Sequence, residues 1–196
     1  MIPKKELLYL YRKQQLSMQQ IAGKLCCSVH KVSYWMDKYN ISRRSISEGA
    51  YVKWNPNGDP FSIYRPHTVK EALLHGIGLG LYWGEGTKSN KHSIRLGNTD
   101  PQLVRTFILF LEQAYSVKKE ELKFGLQVFS NMPVKDVLFF WQKHLGVRDE
   151  QFMRTIVTPS RGAGTYGRKI QHGVLTVYFH NRKLRDILCD EIEKIK

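Results

Sequence analysis

The sequence has few of the residues that build disulfide-rich folds or zinc sites. Its three cysteines, Cys26, Cys27 and Cys189, are odd in number and show no metal-ligand spacing, which excludes a disulfide framework. Its seven histidines form neither HxxxH nor HExxH, so the common zinc-catalytic motifs are absent. We therefore expect reduced thiols in a cytoplasmic, nucleoid-associated protein or in an organellar one.

Long apolar runs and nucleotide-binding glycine patterns are also missing. The apolar stretch Ala72–Gly84 has thirteen residues, whereas a membrane span needs about 20. The N-terminal sequence MIPKKELL has no apolar segment of the kind found in signal peptides. No GxGxxG spacing occurs, and Gly84–Ser89 lacks the glycine that precedes the lysine of a phosphate-binding loop. We expect no membrane partner.

Acidic residues are scarce relative to basic ones. The chain has 17 acidic and 31 basic residues, which gives a formal net charge of +14. Such an excess favours a polyanionic partner. No lipidation signal and no lysine-rich amphipathic helix accompanies the charge, so we expect nucleic acid rather than a membrane surface. The alternative is a solvated basic surface.

Glycine, by contrast, is concentrated in EALLHGIGLGLYWGEGTK, Glu71–Lys88, which is predicted to be helical. Glycine costs about 1 kcal/mol relative to alanine inside a helix, so repeated glycine needs a compensating contact. Ala72, Gly76 and Gly80 recur at four-residue spacing on one face. A row of small residues lets two helix backbones approach closely. An ordinary core helix that tolerates its glycines is the alternative.

The nonapeptide GLGLYWGEG, Gly78–Gly86, resembles the signature helix of the LAGLIDADG homing endonucleases. The last acidic residue of that signature, the family's metal ligand, falls on Glu85, and the glycine before it falls on Gly84. Trp83 stands at the family's first acidic position. The resemblance implies that Glu85 and the Gly84 carbonyl bind Mg²⁺ for phosphodiester hydrolysis.

Only one copy of this motif is present, and one carboxylate cannot complete a two-metal site. The resemblance therefore implies a homodimer with Ala72, Gly76 and Gly80 at an isologous interface. It also implies a pseudo-palindromic double-stranded DNA target. By their positions in the family's fold, three further residues are candidates for catalysis: Asn98, His180 and Lys183.

The resemblance extends from about residue 69 to residue 196. It implies an α+β fold, with an αββαββα core and a saddle-shaped antiparallel sheet whose exposed strand residues contact DNA. The alternating segment HSIRL predicts a strand, and Asp100-Pro101 predicts the start of the next helix. The expected DNA contacts in and before this strand are Lys88, Lys91, Ser93 and Arg95.

The N-terminal residues 1–48 predict a separate module of three short helices. Ser17 and Ser28 are expected N-caps, and Ala22 is the small residue at a helix crossing. The segment LSMQQIAGKLCCSVHKVSYWMDKYNI looks like the tri-helical helix-turn-helix found in invertases and transposase-like proteins. Its expected DNA contacts are Ser28, His30, Lys31, Ser33 and Tyr34. A generic three-helix bundle for protein contacts is the alternative.

Two further basic segments lie outside these elements. Arg43 and Arg44 precede a predicted linker, 49–68, in which proline and glycine break any periodicity. They are expected either to follow a minor groove as an arm or to form a solvated turn. The segment 159–173 is expected to contact phosphates or to be a solvated loop, and its candidate contacts are Arg161, Arg168 and Lys169.

Two functions follow from these patterns. The first is a site-specific DNA endonuclease of homing type, a nuclease and hydrolase that acts as a homodimer with Mg²⁺. The second is a non-catalytic transcriptional regulator that binds a specific DNA sequence on the same scaffold. Glu85 beside Gly84 favours cleavage.

Overall fold

The computed structural model describes residues 1–160 and 171–195. The chain divides into two compact units, Met1–Pro60 and Phe61–Lys196. Helices and a four-stranded sheet are both present in the described part, so the predicted α+β class is confirmed. The predicted phosphate contacts Arg161, Arg168 and Lys169 lie outside the described residues.

The N-terminal unit is helical. Its elements are α1 (Lys4–Leu8), which continues as a π-helical turn (Tyr9–Lys13), α2 (Met18–Lys24), α3 (Val29–Lys38) and α4 (Ile46–Trp54). The first three helices enclose one apolar core, formed by Ile2, Leu7, Leu10, Tyr11, Ile21, Ala22, Val32, Met36 and Ile41.

Serine caps set the starts of α2 and α3, as predicted. The Ser17 hydroxyl accepts a hydrogen bond from the Gln20 amide, and the Gln20 side chain accepts one from the Ser17 amide, which makes a capping box. The Ser28 hydroxyl accepts a hydrogen bond from the Lys31 amide. Four residues therefore separate the two capped helices, and Ala22 of α2 is buried.

Helix α4 occupies part of the predicted linker. Ser45 and Glu48 form a second capping box, with 2.6 Å between the Ser45 amide and the Glu48 carboxylate. The helix ends at Trp54, two residues before Pro56. The expectation of a linker without secondary structure is therefore wrong for residues 49–54. The prolines of this segment all follow the last helical residue, so they end the helix and do not interrupt it.

The larger unit alternates helices and strands. Its elements are α5 (Val69–Glu85), β1 (Ile94–Asn98), α6 (Pro101–Tyr115), β2 (Lys123–Phe129), α7 (Val134–Leu145), β3 (Ile156–Thr158), β4 (Val174–Phe179) and α8 (Arg182–Ile195), with 3₁₀ turns at Lys119–Glu121 and Asp149–Gln151. The side chain of Asp100 caps α6 and Pro101 is its first residue, as the sequence predicted.

The sheet is mixed, with strand order β1-β4-β2-β3. β4 pairs antiparallel with both β1 and β2, whereas β2 pairs parallel with β3. The αββαββα order and the fully antiparallel sheet are therefore wrong for the described residues. The reason is α7, which connects β2 to β3 as a crossover and returns the chain in the same direction.

The strand that the predicted αββαββα order places directly after α5 is reduced to a single bridge. Gly86 pairs antiparallel with Leu96, and the Thr87 amide donates to the Arg95 carbonyl at 2.9 Å. This short pairing joins the end of α5 to β1, which places the acidic end of the helix at the sheet.

One face of the sheet packs against helices and carries the core. Alternate residues of β1, β2 and β4 are buried, among them Ile94, Leu96, Leu126, Val177 and Phe179. The intervening residues lie on the opposite face and are half-buried or exposed. The sheet therefore leaves one face that is not filled by the described core.

Candidate functional site

The glycines of α5 lie on two different faces of the helix. Gly76, Gly80 and Gly84 are exposed, and a Cβ built at any of them would meet no atom within 4 Å. Gly78 is buried, and a Cβ there would overlap the ring of Phe110. Ala72 lies on the exposed side with the first group. The predicted small-residue row is therefore on the surface of its own unit.

Large apolar side chains flank this row. Val69 is 87% exposed, Leu73 62% and Ile77 42%. They recur at four-residue spacing, as the small residues do, so the two rows run side by side along α5. Together they form an apolar surface with a flat centre, which we call the α5 outer face: Val69, Ala72, Leu73, Gly76, Ile77, Gly80 and Gly84.

Gly84 and Glu85 are the last two residues of α5, at the C-terminal end of the α5 outer face. The Glu85 carboxylate is exposed, and within residues 1–160 and 171–195 it makes no hydrogen bond or ion pair. In the same part of the chain, the main-chain carbonyl of Gly84 accepts no hydrogen bond. Carboxylate and carbonyl oxygens are the ligands that Mg²⁺ prefers, so the donors present fit this metal.

One protomer does not supply a complete set of ligands. Among the described residues, no group of three or more His, Cys, Asp or Glu side chains is placed to hold a metal ion. A second carboxylate must therefore come from outside this chain if Glu85 is to hold a divalent ion.

Lys88, which is predicted to contact DNA, binds the carbonyl end of α5. Its ammonium donates to the carbonyls of Tyr82, at 3.3 Å, and of Trp83. These carbonyls belong to the last helical turn, where cations are favoured. The guanidinium of Arg185 donates to the Lys88 main-chain carbonyl, and no sequence pattern indicated this partner.

The three predicted catalytic side chains other than Glu85 do not form one cluster. Asn98 pairs with Leu175 on β4, five residues before His180. At about 3.4 Å per residue, roughly 17 Å of strand separates them. The side-chain oxygen of Asn98, Oδ1, accepts a hydrogen bond from the Asp100 main-chain amide. Lys183 is exposed at the start of α8, near the His180 end.

The open face of the sheet carries a basic and aromatic row. Arg95, Tyr178 and Lys123 lie side by side across β1, β4 and β2. The Arg95 guanidinium lies 5.3 Å from the centre of the Tyr178 ring. In the next row, Gly97 and Gly125 flank Thr176. Because the two glycines have no side chains, only Thr176 projects from the sheet in this row.

Ser93 does not lie on this open face. It is fully buried, and its hydroxyl donates to the Asn90 side chain and accepts from Arg95 Nε at 2.9 Å. The predicted DNA contact at Ser93 is therefore wrong, because β1 begins only at Ile94 and the serine closes the preceding turn. Its role is to orient Arg95. Lys91 is exposed just before this turn.

In the N-terminal unit, the start of α3 is accessible. Ser28, His30 and Lys31 are exposed, and Tyr34 is 58% exposed. The Ser28 hydroxyl is also the helix cap. Ser33 is half-buried and accepts a hydrogen bond from Arg43 at 2.9 Å.

The two arginines after α3 are bound to the unit itself. Arg43 forms an ion pair with Asp37, at 2.5 Å. Arg44 donates to the carbonyls of Tyr11, Gln15 and Leu16, and its guanidinium lies 4.1 Å from the centre of the Tyr11 ring. Arg44 therefore has a structural role within this unit, and its expected place in a minor groove stays a prediction. Sequence reasoning missed this role because the partners lie 28 to 33 residues away.

No protein-family model matches the chain, and comparison with curated proteins and with solved structures gives no match. Within the described ranges, no helix combines the length and the apolar composition needed to cross a bilayer.

Proposed function

We propose that this protein is a homodimeric, metal-dependent DNA endonuclease of the homing type, with a LAGLIDADG-like domain and a tri-helical helix-turn-helix. One observation carries the proposal. Glu85 stands unpaired, among the described residues, at the end of a helix whose small-residue face is exposed. A second copy of that helix would supply the second carboxylate.

Dimerisation through the α5 outer face follows from its shape and composition. Apolar surface gains about 25 cal/mol for each Å² removed from water, and Leu73 and Ile77 are positioned to contribute. Gly76 and Gly80 let two backbones approach closely, since no Cβ stands between them. A two-fold axis that runs parallel to the two helices, beside Gly80, brings the two Glu85 carboxylates to the same end of the interface.

The chemistry divides between the metal and the chain. A bound Mg²⁺ lowers the pKa of water and stabilises charge on a leaving oxygen. Glu85 and the Gly84 carbonyl would hold the ion. Arg95 and Lys123, on the open sheet face, bind phosphates of the duplex. Water adds to the scissile phosphorus, the bond to the 3′ oxygen breaks, and the products carry a 3′ hydroxyl and a 5′ phosphate.

The N-terminal unit increases the affinity for DNA and sets the position of the enzyme on its target sequence. α2 and α3 have the order and the four-residue connection of a helix-turn-helix. His30, Lys31 and Tyr34 are exposed at the start of α3, where base edges and phosphates are reached in that motif.

A non-catalytic DNA-binding transcriptional regulator is the second candidate. The observation that favours it is the distance between Asn98 and the His180 end of β4, roughly 17 Å at about 3.4 Å per residue. Such spacing does not supply one compact set of groups around Glu85. A regulator needs only the dimer and the basic surfaces.

The test uses the whole chain with Mg²⁺ and a plasmid library. We expect specific double-strand breaks with the wild type. Glu85→Gln is expected to retain DNA binding and lose cleavage, because it removes one negative ligand from each protomer. Glu120→Gln, at an exposed site on a 3₁₀ turn, is the matched control and should cut normally. Normal cutting by Glu85→Gln excludes the metal assignment; binding without any cutting by the wild type favours the regulator.

A further inference from the structure

Lys88, three residues after Glu85, forms hydrogen bonds to two different helices. The Lys88 side chain donates back to the carbonyls of Tyr82 and Trp83 on α5. The Lys88 main-chain carbonyl accepts from the guanidinium of Arg185 on α8. Lys88 thus connects the last turn of α5 to the closing helix, across a sequence separation of 97 residues. We call this arrangement the Lys88–Arg185 latch.

Arg185 is an unusual residue to find in this place. Its side chain is only 14% exposed, and one nitrogen donates to the Asp186 carboxylate at 2.9 Å. Its Nε and the Tyr82 hydroxyl are both buried without a hydrogen-bond partner in the described part of the chain. Burial raises the pKa of Tyr82 to about 12, so that hydroxyl is neutral at physiological pH. Burying a charged guanidinium to this degree costs free energy. This guanidinium nevertheless donates to the main-chain carbonyl of Lys88.

The chain is held by contacts on both sides of the two expected metal ligands. On one side of Gly84 and Glu85, the carbonyls of the last turn are held by Lys88. On the other side, Gly86 is bridged to Leu96, and a Cβ at Gly86 would overlap Tyr82. Both ends of a short segment are therefore fixed, while the Gly84 carbonyl accepts no hydrogen bond among the described residues.

We infer that Arg185 and Lys88 are positioning residues that hold Glu85 and the Gly84 carbonyl in place to bind a divalent metal. The inference rests on the proposed function and adds two residues to it. A ligand set that is held before the metal arrives loses less conformational freedom on binding. Groups that orient metal ligands typically change metal affinity by about 10- to 100-fold when they are removed.

The test measures metal binding directly, with terbium ions as the probe. Tb³⁺ prefers oxygen ligands and emits when a nearby tryptophan transfers energy to it. Trp83 is 46% exposed and stands two residues before Glu85, so it is a built-in donor. Titrations of the full-length protein give an affinity without any need for a known DNA target. Trp83→Phe and Glu85→Gln identify the part of the signal that comes from this site.

We expect Arg185→Met and Lys88→Met each to weaken Tb³⁺ binding about 10-fold or more. Arg185→Lys should recover part of the loss, since it still offers one donor to the Lys88 carbonyl. Two controls separate positioning from general effects. Ile192→Val trims the buried side of the same helix α8, and Arg105→Met removes an exposed charge from α6. Both should bind Tb³⁺ as the wild type does.

Three results overturn the inference. Wild-type affinity in both Arg185→Met and Lys88→Met shows that the latch does not position the ligands. Equal weakening by Ile192→Val shows that loss of stability alone explains the effect. If Arg185→Met does not fold, Lys88→Met, at the more accessible end of the latch, decides. Absence of any Glu85-dependent signal in the wild type rejects the metal site itself, and with it the proposed enzyme, which distinguishes the two failures.

Discussion

Gly78 packs directly against the ring of Phe110, so that a Cβ at this position would overlap the ring. Two residues along the same helix, a Cβ at Gly80 would meet no atom within 4 Å. The glycines of α5 therefore serve two purposes. Gly78 allows the helix to pack onto α6, and the other glycines leave the α5 outer face without projecting side chains at their positions. Substitutions can separate these purposes.

Gly78→Ala is expected to destabilise the larger unit by about 1–3 kcal/mol or more, because the added methyl overpacks the contact with Phe110. Gly80→Ala should leave stability unchanged or raise it by up to about 1 kcal/mol, since alanine is the better helix former and the site is open. Urea unfolding at a protein concentration low enough to keep both variants monomeric measures the difference. Equal effects of the two substitutions would contradict the assignment of faces.

Gly80→Leu is expected to dissociate the proposed dimer without unfolding the protomer. The leucine projects from the α5 outer face and keeps the two backbones apart, while Gly80→Ala keeps the surface nearly flat. Sedimentation velocity over a range of concentrations gives the association state of each. A wild type that stays monomeric at all concentrations, or a Gly80→Leu variant that associates as the wild type does, would rule out this interface.

Lys31 and Arg44 are expected to separate DNA binding from stability in the N-terminal unit. Lys31→Ala removes an exposed cation and should weaken binding to any duplex, with the slope of log affinity against log salt reduced by about 1. Arg44→Met removes a cation that donates to three carbonyls and should cost about 2–3 kcal/mol of stability. Salt titrations and thermal unfolding of both variants check this. A steeper salt slope in Lys31→Ala, or full stability in Arg44→Met, would contradict it.

Stability at high pH should depend on two buried tyrosines. Burial raises the pKa of Tyr82 to about 12, and burial together with the adjacent Glu191 raises the pKa of Tyr115. The unfolded chain releases these protons near pH 10, so stability is fully present below pH 10 and falls as the pH rises toward 12. Tyr82→Phe should make that fall shallower.

The two tyrosines should differ at neutral pH. Tyr115 donates to Glu191 at 3.0 Å, and Tyr115→Phe is expected to cost about 1.5–3 kcal/mol. The Tyr82 hydroxyl has no partner within the described residues, so Tyr82→Phe should be neutral or stabilising. Urea unfolding at pH 7 and pH 11 gives both comparisons. A large loss from Tyr82→Phe at pH 7 would mean that its hydroxyl is hydrogen-bonded after all.

Local signals in the sequence were sufficient for the helix caps. Ser17, Ser28 and Asp100 each bond an amide two or three residues away, and such contacts depend on local spacing alone. The exposure of the α5 glycines is a different matter. Periodicity placed Gly76 and Gly80 on one face, but only the position of α6 determines which face is buried.

Long-range contacts account for what the sequence did not reveal. Arg44 and Arg185 read as ordinary basic residues, and their carbonyl partners lie far along the chain. Ser93 alternates with Ile94 as a strand residue would, yet the turn at Asn90 takes its hydroxyl inside. The parallel pairing of β3 depends on where α7 directs the chain, which no local pattern encodes.

The contacts of Arg44 set a lower limit on any fragment that isolates the N-terminal unit. The side chain bonds the end of the first helix from a position six residues beyond the end of α3. A piece that stops after Ile41 would contain all three helices of the motif and still lose the bonds that close it. A fragment that extends through Arg44 to the end of α4 is the shortest one expected to fold and to report on DNA binding by itself.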